Sequence, residues 1–426
     1  MSLASSSVPE LSGQQRRCHI VLMLYALSPA VRLEKISQIN GVDLPTTRQD
    51  VAAVAGEIQR FHHLDLLLDE TGTCRLSGSS LNQRLCFFHW LRRALRISPD
   101  FTTQHAAAAL HQGLAPFHQA GEEETNQLLH TLIEQAEVRL RRQVTARDRH
   151  FLCLFIKYCL TCHHQLCHPG FTSPQLGWLR QKSECEAAGY LADALTHHFR
   201  LPPCDAERDF LILLFTLLKT HQYGNSEAPE DRQLQEEVHR LIVRFQQIAG
   251  MSFSSREGLA GQLFTHLGAA IERCRFGIGI DHTLLEEVTR MYPRLMRTTL
   301  EALEEFEAVY NLRLSPEEAG LITICFGAWL MQGNALQEKQ VLMLTNGNPA
   351  LETAVEQHIR EATLLPLSVK YQPLSHFLHH GPPQGVTLVI TPYPADEPAI
   401  TLPMLHVELP LGKAQRMQIR ALLESP

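Results

Sequence analysis

Gly261-Gln-Leu-Phe-Thr-His-Leu-Gly-Ala-Ala-Ile-Glu-Arg273 is the stretch whose reading decides the fold. Leu263, Leu267 and Ile271 recur at i, i+4 and i+8, the spacing of one apolar stripe on an α-helix. His266 sits near its start. A second helical pattern, Pro316-Glu-Glu-Ala-Gly-Leu-Ile-Thr-Ile-Cys-Phe326, places Cys325 59 positions beyond that histidine. The same pair recurs 111 positions earlier, as Phe151-Leu-Cys-Leu-Phe-Ile156 and Asp205-Ala-Glu-Arg-Asp-Phe-Leu-Ile-Leu-Leu-Phe215. Phe155 then aligns with His266, Leu214 with Cys325, Glu207 with Glu318 and Phe215 with Phe326. Residues 122–335 thus read as an internal repeat. Each unit holds several amphipathic helices that must bury their faces on one another, which predicts two helical bundles.

The context of His266 includes Asp281-His-Thr-Leu-Leu-Glu-Glu287, Tyr292-Pro293 and Ser315-Pro-Glu-Glu-Ala-Gly-Leu-Ile-Thr-Ile-Cys-Phe-Gly-Ala328. It resembles the PTS regulation domain (PRD), a helical module of bacterial regulators. The resemblance implies control by the sugar phosphotransferase system, which phosphorylates histidines of such modules. The family offers a histidine at both aligned positions of each unit. Here three of the four are Phe155, Leu214 and Cys325, and Phe and Leu have no nucleophilic nitrogen. Cys325, between Ile324 and Phe326, reads as a small buried hydrophobe. His266 is therefore the candidate phosphorylation site, where a phosphoryl group would add about −1.5 to −2 charge. The competing reading is a structural histidine donating a hydrogen bond within the bundle.

Toward the N-terminus, residues 12–78 predict a winged helix-turn-helix. Gln14–Leu24 and Leu33–Ile39 form two helical patterns, Asn40-Gly41 breaks the second, and Thr46-Thr47 is expected to cap a helix over Arg48–Ile58. Leu64–Leu68, the turn Asp69–Gly72 and Thr73–Leu76 predict the hairpin wing. This order puts one helix in a major groove and resembles the DNA-binding module of phosphotransferase-controlled activators. Thr46, Thr47, Arg48 and Gln49 are the candidate DNA contacts. Asp50, on the same helix, would be repelled by a phosphate backbone, and a winged-helix fold kept for protein contacts is the other reading. Residues 82–97 predict a helix whose aromatics are core. Its Arg84, Arg92, Arg93 and Arg96 read as a solvated face rather than a phosphate stripe.

From Glu338 onward the pattern alternates strand and helix. Gln340–Leu344, Leu367–Tyr371 and Gly385–Ile390 read as strands, with helices over Leu351–Arg360 and Lys413–Leu423, which predicts a small parallel sheet. It resembles the EIIB-like module found behind tandem PRDs. In the active module a cysteine follows the first strand. Thr345 stands there instead, and its hydroxyl lacks thiolate character, which argues against a phosphoryl-carrier enzyme. Asn346-Gly347 remains either an anion-binding turn or a plain loop. Cys159-Leu-Thr-Cys162-His163-His164-Gln-Leu-Cys167-His168 carries zinc-type ligands. No second Cys-x-x-Cys supports it, and it continues the helix from Phe151, so no metal site and no cofactor are expected.

The fold class expected is mainly α and multidomain: an N-terminal winged helix-turn-helix, two tandem all-α PRD bundles and a small C-terminal α/β (EIIB-like) domain. The expected boundaries are 1–80, a linker helix region 81–121, PRD 1 over 122–228, PRD 2 over 229–337, and 338–426. With 426 residues, 44% hydrophobic and 19% charged, the chain is too long for one core and too apolar to be disordered. No run approaches the ~20 apolar residues of a membrane helix, and the N-terminus lacks a signal-peptide pattern. Eleven scattered cysteines fit a reducing cytoplasm. A net charge of −7 confines any nucleic-acid contact to a local surface. The expected function is transcriptional regulation without enzymatic activity, with DNA, phosphotransferase phosphocarrier proteins and a second copy of the chain as partners. The alternative is an adaptor that docks phosphotransferase proteins without binding DNA. RNA antitermination is disfavoured, because it uses an all-β N-terminal domain.

Overall fold

The computed structural model describes residues 11–27, 30–219, 223–224, 228–251, 253, 255–280, 285–332, 338–394 and 402–424. Two compact units emerge: Met1–Lys219 with Arg275–Gly279, and Thr220–Cys274 with Ile280–Pro426.

In the first unit, α1 (Gly13–Leu22) starts at Ser12, whose hydroxyl and the Gln15 side chain form a reciprocal capping box. A π turn, Met23–Leu27, leads to β1 (Ala30–Arg32), α2 (Leu33–Asn40) and α3 (Leu44–His62). Between α2 and α3, Gly41 adopts φ 64°, the left-handed cap foreseen for Asn40-Gly41. The hairpin β2 (Asp65–Leu68) and β3 (Thr73–Ser77) forms as expected, and the antiparallel sheet has order β1-β3-β2. β1 was not foreseen, because three residues are too few to show an alternating pattern. The long helix α4 (Ser80–Ile97), the short α5 (Pro99–Phe101), a π turn and α6 (Ala107–Leu114) follow.

Five more helices complete the unit: α7 (Glu122–Leu140), α8 (Ala146–His164), α9 (Ser173–Leu179), α10 (Cys185–His198) and α11 (Asp205–Leu217). One hydrophobic core runs from Ile20 on α1 through Phe87 and Trp90 on α4 to Phe151, Phe155 and Phe215. Residues 275–279 belong here because the Gly279 N–H donates to the Phe61 carbonyl at 2.9 Å. A Cβ at Gly279 would lie 2.7 Å from Phe61 Cα, so only glycine fits.

The second unit repeats the five-helix order with α12 (Pro229–Ala249), α13 (Arg256–Phe276, whose last two residues belong to the first unit), α14 (Leu285–Met291), α15 (Pro293–Tyr310) and α16 (Pro316–Gln332). Leu263, Leu267 and Ile271 are buried in this bundle, so the stripe that opened the reading is core. Asp281–Leu284 of the quoted motif lie outside the described residues. Then come β4 (Lys339–Thr345), α17 (Pro349–Ala362), β5 (Leu367–Pro373), α18 (Leu374–His380), β6 (Val386–Thr391), β7 (Met404–His406) and α19 (Lys413–Glu424). The four-stranded sheet has order β5-β4-β6-β7 with every neighbouring pair parallel, the arrangement that strands alternating with helices require. The sequence showed neither α18 nor β7, both too short to register a period. Among the described residues, no helix is long and apolar enough to cross a membrane.

Candidate nucleic-acid interface and regulatory histidine

The start of α3 differs from the expectation. Its N-cap is Asp43, which accepts the Thr46 N–H at 2.9 Å, with Pro45 in the first turn. Thr46 and Thr47 are therefore already helical and cap nothing. Proline presets the helical φ there, and a carboxylate at the N-cap satisfies an orphan amide and suits the helix dipole. Thr47 is 1% exposed and its hydroxyl donates to the Asp43 carbonyl, so it faces the core and is no candidate DNA contact. Arg48 and Gln49 are exposed and Thr46 half-exposed.

Asp50 likewise turns inward, where Arg16 of α1 holds its carboxylate at 2.6 Å. Glu57 is half-buried and paired with Arg93 of α4. The outer face of α3 is thus Arg48, Gln49, Ala52, Ala53, Gly56, Gln59 and Arg60, without a carboxylate. Its middle is nearly smooth, which lets a helix approach a groove floor closely. The wing is different. Asp65, Asp69 and Glu70 are exposed, and Asp69 folds back to accept the Thr71 and Thr73 amides.

The α4 arginines do not form one solvated face. Arg84 is 0% exposed, with Glu207 of α11 accepting from both terminal nitrogens at 2.6 and 2.7 Å and the Cys167 carbonyl accepting at 3.1 Å. Its guanidinium also lies 4.9 Å from the Phe210 ring centroid. Arg92 reaches Asp148, Arg93 is paired, and only Arg96 is exposed. A full cation in the core is tolerated only with a bidentate partner, which lay more than a hundred residues away in sequence.

His266 is half-buried on α13. Burial, then the nearby positive charge of Arg273, lower its pKa, against the opposing pull of Glu318. The ring is therefore neutral and nucleophilic at neutral pH. Among the described residues it has no hydrogen-bond partner, so the structural reading that made it a donor within the bundle finds no acceptor. Arg273 is felt by the ring and is clamped by Glu318 at 2.9 Å. Phe155 and Leu214 are 0% exposed and Cys325 is 3% exposed, with its thiol pushed up to about 11 by burial. All three are core side chains.

In the C-terminal sheet, Thr345 ends β4, and the turn at Gly347 (φ 83°) leads to Asn348, the N-cap of α17. The buried Glu352 accepts the Asn346 N–H at 3.0 Å and the Tyr393 hydroxyl at 2.8 Å. An internal carboxylate takes the amide that a bound anion would need. Cys159 and Cys162 point into the core with thiols raised by burial, while Cys167 is exposed.

Known proteins account for much of this arrangement. The PRD domain family model matches residues 239–329, the bundle that carries His266. Residues 339–423 match the family described as "Stationary phase-inducible protein CsiE, C-terminal domain". The transcriptional regulator ManR of Bacillus subtilis (strain 168) is 22% identical over 200 residues, 46% of this chain and 30% of that protein. The stationary phase-inducible protein CsiE of Escherichia coli (strain K12) is 39% identical over 424 residues, spanning 100% of this chain and 99% of that protein. Identity at that level from end to end places this chain in the CsiE family.

Proposed function

We propose that the protein is a PRD-type transcriptional regulator that binds DNA through a winged helix-turn-helix formed by α1–α3 and the β2–β3 hairpin. The carrying observation is the outer face of α3, where Arg48 and Gln49 are presented and the two carboxylates within the helix, Asp50 and Glu57, are held inward by arginines. The two five-helix bundles are tandem PRDs over 122–228 and 229–337, and the C-terminal sheet is an EIIB-like domain that has lost phosphoryl exchange. Phosphorylation is confined to His266, the other three positions being degenerate. By analogy with its relative's name, the protein is induced in stationary phase; we place it in the cytoplasm, as a homodimer receiving its signal from phosphotransferase phosphocarrier proteins.

Retention of fragments from the protein's own genome, followed by anisotropy titration, tests this. Affinity should fall steeply with salt, since each neutralised phosphate releases counterions. Arg48→Ala should cost about 1–3 kcal/mol if the side chain reads a base edge. No retention at low salt, or unchanged affinity in the variant, removes the DNA role. One observation favours the adaptor reading: the wing carries exposed Asp65, Asp69 and Glu70 in a chain of net charge −7. Capture of phosphocarrier proteins by a chain that retains no DNA would establish it.

A further inference from the structure

The structure assigns a divalent transition-metal site, for zinc before others, to His163, His168 and Cys204 in the first helical repeat. One ligand atom from each of these side chains lies within 4.8 Å of the others. His163 is the penultimate residue of α8, His168 follows in the loop, and Cys204 is the residue before α11. Two imidazoles and a thiolate are a donor set that zinc takes tetrahedrally, with a fourth position left for water.

The ring nitrogens are already sorted. The Nδ1 of His168 hydrogen-bonds Glu207 Oε1 at 3.0 Å, so its Nε2 is left with the lone pair. A carboxylate behind a ligating histidine is the usual outer-shell arrangement of zinc sites. His163 is 5% exposed, and its Nε2 is buried with no partner. A buried nitrogen without a partner is costly unless something occupies the space before it. A cavity of about 30 Å³ lies beside two of the three ligands, bordered by His163, Cys204, Glu207, Cys159 and Leu201, with His168 outside its lining. This volume suits one ion and little else. Tetrahedral zinc holds such ligands roughly 3.3–3.8 Å apart, so closure needs movements of about 1 Å. His168 and Cys204, both partly exposed, have room for them.

The site is peculiar to the first repeat. The aligned positions of the second repeat are Cys274, Gly279 and Ser315, which cannot supply the same donors. Bound metal would tie the turn after α8 to the start of α11, beside the Glu207 carboxylate that receives Arg84 of α4. The Cys-x-x-Cys spacing points at the wrong sulfurs, since Cys159 and Cys162 lie on the core face of α8.

The test uses the full-length protein, stripped with chelator, dialysed against zinc and assayed by elemental analysis, with competitive titration for affinity. About one equivalent should be retained. Cys204→Ser should weaken zinc at least ~10-fold, and because serine is a favoured residue before a helix, the variant should fold. Cys167→Ser, at the neighbouring exposed sulfur, should bind as the parent does. Cobalt substitution should give a thiolate charge-transfer band that Cys204→Ser abolishes and Cys167→Ser keeps. No retained metal, or equal affinity in parent and Cys204→Ser with native helical content, overturns the site.

Discussion

Arg84 shows how much a single residue conceals in the sequence. It stands among arginines at helical spacing, and nothing local separates it from its surface neighbours, yet its side chain is 0% exposed and bidentate to Glu207. Arg84→Met should cost about 3–5 kcal/mol, because it strands the Glu207 carboxylate inside. Arg84→Met with Glu207→Leu should recover most of that loss in urea denaturation. A single-variant cost below about 1 kcal/mol would show that the pair does not organise this core. His62 makes a second residue-scale case. It lies at the end of α3, and burial, then neighbouring His89 and His63, depress its pKa to about 3. The unfolded chain binds that proton at about 6.5 while the folded chain does not, so stability is full above pH 6.5 and declines as pH falls toward 3. The slope should approach 1.4 kcal/mol per pH unit, flattened by that amount in His62→Gln. Parallel stability profiles for the two proteins would discard this assignment.

At the scale of elements, periodicity was legible wherever an element was long. α3, α4, α8, α13 and α16 stand where apolar spacing placed them, and β4, β5 and β6 emerge from runs of branched and aliphatic residues. β1, β7 and α18 escaped because they span fewer residues than a period needs to declare itself. The start of α3 escaped for another reason: Asp43, Thr46 and Thr47 are all competent caps, and only the backbone chooses among them. The helix α13 carries a testable element-scale prediction. His266 should accept label from phosphoenolpyruvate through the general phosphotransferase components, and a phosphoryl group there would compete with Glu318 for Arg273. Label in His266→Ala, or none in the parent, would leave α13 without a switch.

For the whole molecule, the Leu263, Leu267 and Ile271 stripe is spent on the bundle's own core and offers nothing to a second copy. A homodimer must therefore use other surface. Light scattering of the full-length chain across micromolar concentrations should give twice the monomer mass of 48.1 kDa. A constant monomer mass would require a regulator that meets DNA as a single chain, and would leave half-site spacing without meaning.

The sequence by itself determined the repeat, its helical content, the α/β tail and the residues, Phe155, Leu214 and Cys325, that stand at the three positions aligned with His266 and its counterpart. Each is written in residue type and spacing along one chain, where helix and sheet periods act locally. Tertiary structure alone decided which charges are solvated. Asp50 and Arg84 look like surface residues until α1 brings Arg16 to one and α11 brings Glu207 to the other. It also decided that His163, His168 and Cys204 meet while Cys159 and Cys162 are buried and Cys167 is exposed. The physical reason is that partner choice in a core depends on which elements pack together, and helices packed side by side join residues that no local period relates.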